Sequence, residues 1–190
     1  MILQNIMSEK AFGFKIIIIG APAVGKTSLI KKYTTDSFQK SYISTLGTQF
    51  SKYEEDVDGE KVELFIWDIA GQESFNVMRQ KFYTGSSGAI IVFSHASEQT
   101  TSFNLVDKWL NELKEHCGNI PIALFGNKID LIDENDLSLN KDKATSDYNV
   151  GKYVIDNRFL GYFKTSALTG QGVIEAFQAL VRKLYLRAKM

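Results

Sequence analysis

The chain has 190 residues, with 22 Lys plus Arg balanced by 22 Asp plus Glu, and a single cysteine. That length fits one domain with at most an appendage, the charge balance gives no global pull towards nucleic acid or an anionic membrane, and the lone Cys117 excludes an internal disulfide and a multi-cysteine zinc site. No apolar run is long enough to span a membrane, and Met1 to Phe12 lacks the basic-then-apolar order of a signal peptide.

Residues 1–13 read as an N-terminal extension, in which Ile2, Leu3, Ile6 and Met7 have the spacing of a short amphipathic turn. Phe14 to Ile19 is a dense apolar run that predicts a buried parallel strand. It runs directly into Gly20-Ala21-Pro22-Ala23-Val24-Gly25-Lys26-Thr27, the complete G-x-x-x-x-G-K-[ST] pattern. Successive backbone N–H groups in such a loop converge on phosphate oxygens, and the helix predicted over Thr27 to Tyr33 adds its positive end. Lys26 can reach terminal phosphates, and the Thr27 hydroxyl can hold Mg2+.

A polar stretch with isolated Phe38 and Tyr42 follows and leads to Thr45. Asp58-Gly59 is a hairpin signal between strands predicted over Thr48 to Val57 and Lys61 to Ile66. The second strand delivers Trp67-Asp68-Ile69-Ala70-Gly71-Gln72-Glu73, where Asp68 stands as a strand-end carboxylate able to act on Mg2+. Phe75 to Tyr83 predicts a mobile helix, and Ala89 to Phe93 a buried strand. Phe103, Val106, Trp109, Leu110 and Leu113 recur at helical spacing, with Ser102 as a candidate local cap. Strands over Ile120 to Phe125 and Gly161 to Lys164 deliver Asn127-Lys128-Ile129-Asp130 and Thr165-Ser166-Ala167-Leu168, and a helix over Gly172 to Leu186 closes the pattern. The alternation predicts one three-layer α/β domain with a six-stranded, mostly parallel sheet and one antiparallel edge strand. In such sheets ligands bind beyond the carboxyl ends of the strands, so the phosphate loop, Asp68, Asn127 and Ser166 point to one site.

In ordered union, GAPAVGKT, YISTLG, WDIAGQE, GNKID and TSAL resemble a small GTPase of the Ras superfamily, nearest the Rab branch, over about Phe14 to Leu186. The resemblance implies a P-loop GTPase domain over residues 14–186, a GTP-binding and GTP-hydrolysing molecular switch in vesicle or membrane traffic, with Mg2+ and bound GTP or GDP. It assigns the phosphates to Gly20, Ala23, Val24, Gly25, Lys26, Thr27 and Ser28, and Mg2+ to Thr27, Thr45 and Asp68. Guanine falls to Asn127, Lys128 and Asp130, with Ser166, Ala167 and Leu168 from the last strand and the Phe38 ring beside the base. The Ala167 N–H is expected to meet guanine O6. Tyr42 would cover the phosphates, Gly71 would sense the γ-phosphate, and Gln72 would position the attacking water with Lys26 stabilising the transferred charge. Phe50, Trp67 and Phe82 match an aromatic effector surface, against the plainer reading that they pack internally. An activating protein, an exchange factor and a GTP-state effector are the implied partners.

Several residues depart from the family pattern. Pro22 removes an N–H from the phosphate loop, which motivates the alternative of a GTP-binding adaptor with little turnover. A more distant alternative, a phosphotransferase acting on a small acceptor, leaves Asn127 to Asp130 unexplained. Ser74 stands where the Rab pattern commonly has Arg, and Ser94 where it has Asp. An insertion of about ten residues is expected within residues 131–161, as a loop, partial helix or small hairpin. Residues 187–190 read as a short tail, and the C-terminal end carries no cysteine for lipidation. These features imply a cytoplasmic protein, with peripheral membrane contact left open.

Overall fold

The computed structural model describes residues 12–35, 47–71, 79–133 and 143–190. Six strands form one sheet: β1 (Phe12–Gly20), β2 (Thr48–Val57), β3 (Glu60–Ile69), β4 (Gly88–Ser94), β5 (Ile122–Asn127) and β6 (Gly161–Lys164). Their spatial order is β2-β3-β1-β4-β5-β6, and every neighbouring pair is parallel except β2 with β3. This is the expected mostly parallel sheet with one antiparallel edge strand. Among the described residues, the helices with both ends given are α1 (Lys26–Thr35), α2 (Val106–Cys117), α3 (Asp147–Asp156) and α4 (Val173–Ala188).

The sequence explains which strand is central. In β1, Ile16, Ile17, Ile18 and Ile19 are all fully buried, because helices cover both faces. Ile16 and Ile18 pack with Leu29, Ile30 and Tyr33 of α1 and Phe177, Leu180 and Leu184 of α4. Ile17 and Ile19 pack with Trp109, Leu110 and Leu113 of α2 and Val150 and Val154 of α3. On the edge strand β2 the pattern instead alternates, with Lys52, Glu54 and Asp56 exposed.

β3 runs three residues beyond the expected Ile66, because Trp67, Asp68 and Ile69 pair with Phe50, Gln49 and Thr48. Ser102 does not cap a helix. Its Oγ accepts the Ser94 N–H at the buried end of β4 (2.9 Å), and residues Ser97–Leu105 form 3-10 turns before α2 begins. A buried strand-end N–H without an acceptor is costly, so it takes the hydroxyl. Within 131–161 the described residues include α3, started by Ser146, whose Oγ accepts the Asn149 N–H (3.3 Å). Residues 75–78 of the helix expected over Phe75 to Tyr83, residues 134–142 of the stretch expected to hold the insertion, and the amphipathic spacing of residues 1–11 lie outside the described residues. Of the remainder of that helix, Arg79 and Gln80 are helical and residues 81–83 form a turn.

One buried ionic contact joins the chain after β3 to α2. Arg79 is 1% exposed and meets Glu112 with both arms of its guanidinium, Nε to Oε2 at 3.1 Å and Nη2 to Oε1 at 3.0 Å. The Tyr83 hydroxyl donates to the same carboxylate (2.7 Å), and the guanidinium lies 4.5 Å from the Trp109 ring centroid.

Candidate functional site

The carboxyl ends of β1, β3, β5 and β6 deliver their loops to one edge of the sheet. The first loop spans Gly20 to Thr27. Ala23 adopts a left-handed conformation (φ 61°) there, which turns successive N–H groups towards one side and makes an anion-binding concavity. α1 starts inside the motif at Lys26, with Leu29 N–H donating to Gly25 O (2.9 Å). Lys26 is buried and folds back over the loop, donating to the carbonyls of Gly20 (3.0 Å) and Ala21 (2.9 Å). Burial lowers its pKa to about 8, opposed by the Asp68 carboxylate and reinforced by the Arg79 charge.

Asp68 is 2% exposed near the end of β3, and the Thr27 hydroxyl donates to its carboxylate. This brings together a hydroxyl and a carboxylate from distant parts of the chain. Two hard oxygen donors beside a phosphate loop fit Mg2+, and neither suits a soft metal. Thr45, the third expected ligand, lies outside the described residues, as do Phe38, Tyr42 and Gln72.

Gly71 seats the end of β3 against the phosphate loop. A Cβ at this position would come within 2.2 Å of Gly20 O and 2.8 Å of both Ala21 C and Pro22 N. All three are backbone atoms, so no side chain can swing aside. Gly71→Ala is expected to destabilise the fold by about 2 kcal/mol, in the range of overpacking. Urea unfolding measures this, and a change under about 0.5 kcal/mol, typical of a neutral surface site, would contradict the close approach.

The other end of the site is built around Asn127, which is 1% exposed. Its Nδ2 donates to Val24 O in the phosphate loop (2.8 Å). Its Oδ1 accepts from Ala167 N–H (3.1 Å) and from the Thr165 hydroxyl (3.4 Å). One amide therefore ties the loops after β1, β5 and β6. Lys128 follows in a left-handed conformation (φ 64°), which reverses the chain. Asp130 is exposed, and Ser166 Oγ donates to its Oδ1 (2.5 Å). Ile129 N–H donates to Thr165 O (3.2 Å), locking the same two loops again. Ser28 is half-buried in α1, and Leu168 is exposed beyond Ala167.

The Ala167 N–H expected for guanine O6 thus already faces Asn127 Oδ1. Thr165 carries no role on sequence grounds, although both its hydroxyl and its carbonyl hold this site together. A threonine at a strand end carries no signal that separates it from ordinary strand composition. Ser94 Oγ accepts from Ala96 N–H (3.1 Å), and His95 Nε2 bonds to Tyr162.

Phe50, Trp67 and Phe82 form a continuous aromatic row, with Trp67 5.3 Å from Phe50 and 5.4 Å from Phe82 by ring centroids. Phe50 is 53% exposed, whereas the other two are half-buried.

The model of the Ras family matches residues 15–186. The chain belongs to the Ras family. Similar relatives of this Ras-family protein include Ras-related protein RABA5a of Arabidopsis thaliana, 35% identical over 90% of this chain and 73% of the relative. GTP-binding protein YPT1 of Saccharomyces cerevisiae is 36% identical over 93% of this chain and 81% of its own length. Ras-related protein Rab-13 of Canis lupus familiaris is 35% identical over 92% and 81% respectively. Rab proteins recur among them, which places the chain with the Rab branch. The six-stranded, helix-flanked sheet is the P-loop GTPase architecture of that family.

Proposed function

We propose that this Ras-family protein binds guanine nucleotides at the loop edge of its sheet and hydrolyses GTP slowly, as a molecular switch in membrane traffic. The observation that carries the reading is the bridge from Asn127 to Val24, which brings the base-selecting motif onto the phosphate loop. Asp130 supplies the selectivity: a carboxylate accepts from guanine N1–H and its amino group, a donor pair that adenine lacks. Ser166 holds that carboxylate in place. A base carbonyl at Ala167 would share its N–H with Asn127 Oδ1.

Lys26, the phosphate-loop N–H groups and the start of α1 stabilise the charge on the transferred phosphoryl group. Thr27, Asp68 and Thr45 hold Mg2+, which when bound neutralises charge on the phosphate oxygens. Gln72 orients water for in-line attack, and Gly71 and Thr45 make the loops responsive to the γ-phosphate. An activating protein accelerates turnover, an exchange factor releases GDP, and Phe50, Trp67 and Phe82 meet effectors of the GTP state. The protein works in the cytoplasm.

Extraction of nucleotide from purified protein, followed by single-turnover phosphate release at saturating Mg2+, tests this. The expected result is bound guanine nucleotide with slow release of phosphate. Bound adenine nucleotide would overturn the base assignment. Guanine nucleotide without release above the buffer rate would favour the adaptor reading, with Pro22 as its cause.

A further inference from the structure

His95 follows β4 directly and, beyond its bond to Tyr162, has no role in the site described above. Its side chain is 3% exposed. The ring lies edge-on to Phe93, with centroids 4.8 Å apart, and a Cβ built on Gly126 would fall within 2.5 Å of His95 Nε2. The imidazole therefore fills the space beneath Gly126, one residue before Asn127. His95 Nε2 sits 2.8 Å from the Tyr162 hydroxyl on β6, and His95 N–H donates to Asn127 O (2.9 Å). Nδ1 is buried and makes no hydrogen bond among the described residues. An orphaned buried N–H is rarer than an under-satisfied acceptor, which favours the tautomer with hydrogen on Nε2, donating to Tyr162.

The ionisable groups acting on the ring are Asp147 at the start of α3 and Lys164 on β6, which pair with each other at 3.1 Å. The facing residues of β5, Gly126 and Asn127, are uncharged, and so are Phe93 and Ser94 of β4. Burial is the larger effect and keeps the imidazole neutral down to about 4, with Asp147 opposing it and Lys164 adding to it.

We propose that His95 is a positioning residue for nucleotide retention: its uncharged ring, wedged beneath Gly126 and bonded to Tyr162, holds the ends of β5 and β6 in the register that presents Asn127, Asp130 and Ser166 together. This rests on the guanine-nucleotide reading given above. The two strand ends are already joined by Thr165 N–H to Gly126 O (2.8 Å), so a ring braced against both stiffens the whole base-binding corner. Release of the base requires these loops to part. Parting exposes the imidazole to water, where its pKa returns towards about 6.5. Above that pH neither state binds the proton, and release is independent of pH. Between about 6.5 and the folded value of about 4, the open state gains a proton that the closed state refuses, so opening is progressively favoured as pH falls.

The test is dissociation of a fluorescent GDP analogue into excess unlabelled GDP with Mg2+, at neutral and mildly acid pH. The wild type is expected to release it about tenfold faster at pH 5 than at pH 7.5. His95→Leu and Tyr162→Phe each lose the ring-to-hydroxyl bond and are expected to release it about fivefold faster at pH 7.5. His95→Gln returns an N–H near the Nε2 position without titrating. It should restore slow release relative to His95→Leu and abolish the acid response. A His95→Leu protein with the wild-type rate and the wild-type pH response would overturn the proposal. Should that variant fail to fold, Tyr162→Phe releasing at the wild-type rate would overturn it equally. A wild type that binds no GDP analogue sinks the guanine reading itself; a wild type that binds it, with unchanged variants, sinks only the role of His95.

Discussion

Asn127→Ala is expected to weaken guanine-nucleotide affinity by about a thousandfold, roughly 4 kcal/mol. The side chain makes three hydrogen bonds from a 1% exposed position, to Val24 O, Ala167 N–H and the Thr165 hydroxyl. Truncation leaves groups from three loops with an apolar methyl in place of an amide. Each buried group left unsatisfied costs about 1–3 kcal/mol. In the free protein the loops can relax and hydrate these groups. In the bound protein they must be drawn together again, so much of the cost falls on binding. Titration of a fluorescent GDP analogue into wild type and variant measures the ratio. A loss of less than about tenfold would mean that the loops hold together without the amide bridge.

Glu112→Ala is expected to cost about 3–5 kcal/mol of folding stability, because it strips the Arg79 guanidinium of its bidentate partner while leaving the charge buried. The Tyr83 hydroxyl loses its acceptor at the same time. The loss is a large fraction of the 5–15 kcal/mol typical of a whole domain. Urea unfolding of the two proteins gives the difference directly. Pairing the change with Arg79→Met removes the buried charge, and the double variant should recover most of the loss. A double variant as unstable as Glu112→Ala alone would show that the charge is not what the carboxylate compensates.

The strands and the phosphate loop were legible in sequence because their signals are local. The unbroken Ile16 to Ile19 run, the glycine spacing around Lys26 and the helical spacing of Trp109, Leu110 and Leu113 each fall within a few neighbouring residues. The anchor between Arg79 and Glu112 was not legible, since its partners are 33 residues apart and each resembles an ordinary surface charge. The same holds for His95 and Tyr162, separated by 67 residues. Ser102 has the look of a cap because a serine ahead of an amphipathic run commonly is one. Only the placement of the β4 end beside it shows a competing donor. β3 outlasts its apolar run because its extension is dictated by β2 across the hairpin, a partner that periodicity along one strand does not reveal.

The central place of β1 also governs how this chain comes off the ribosome. Phe14, Ile16 and Ile18 are synthesised well before α4, which supplies Phe177, Leu180, Leu184 and Tyr185 to the layer that seals them. β1 itself pairs with β3 and β4, both parallel and both distant in sequence. Such non-local pairing folds slowly, and unpaired apolar strands are exposed to aggregation meanwhile. β1 therefore stays without its full cover until α4 has been synthesised, and its apolar faces are exposed to aggregation through that interval.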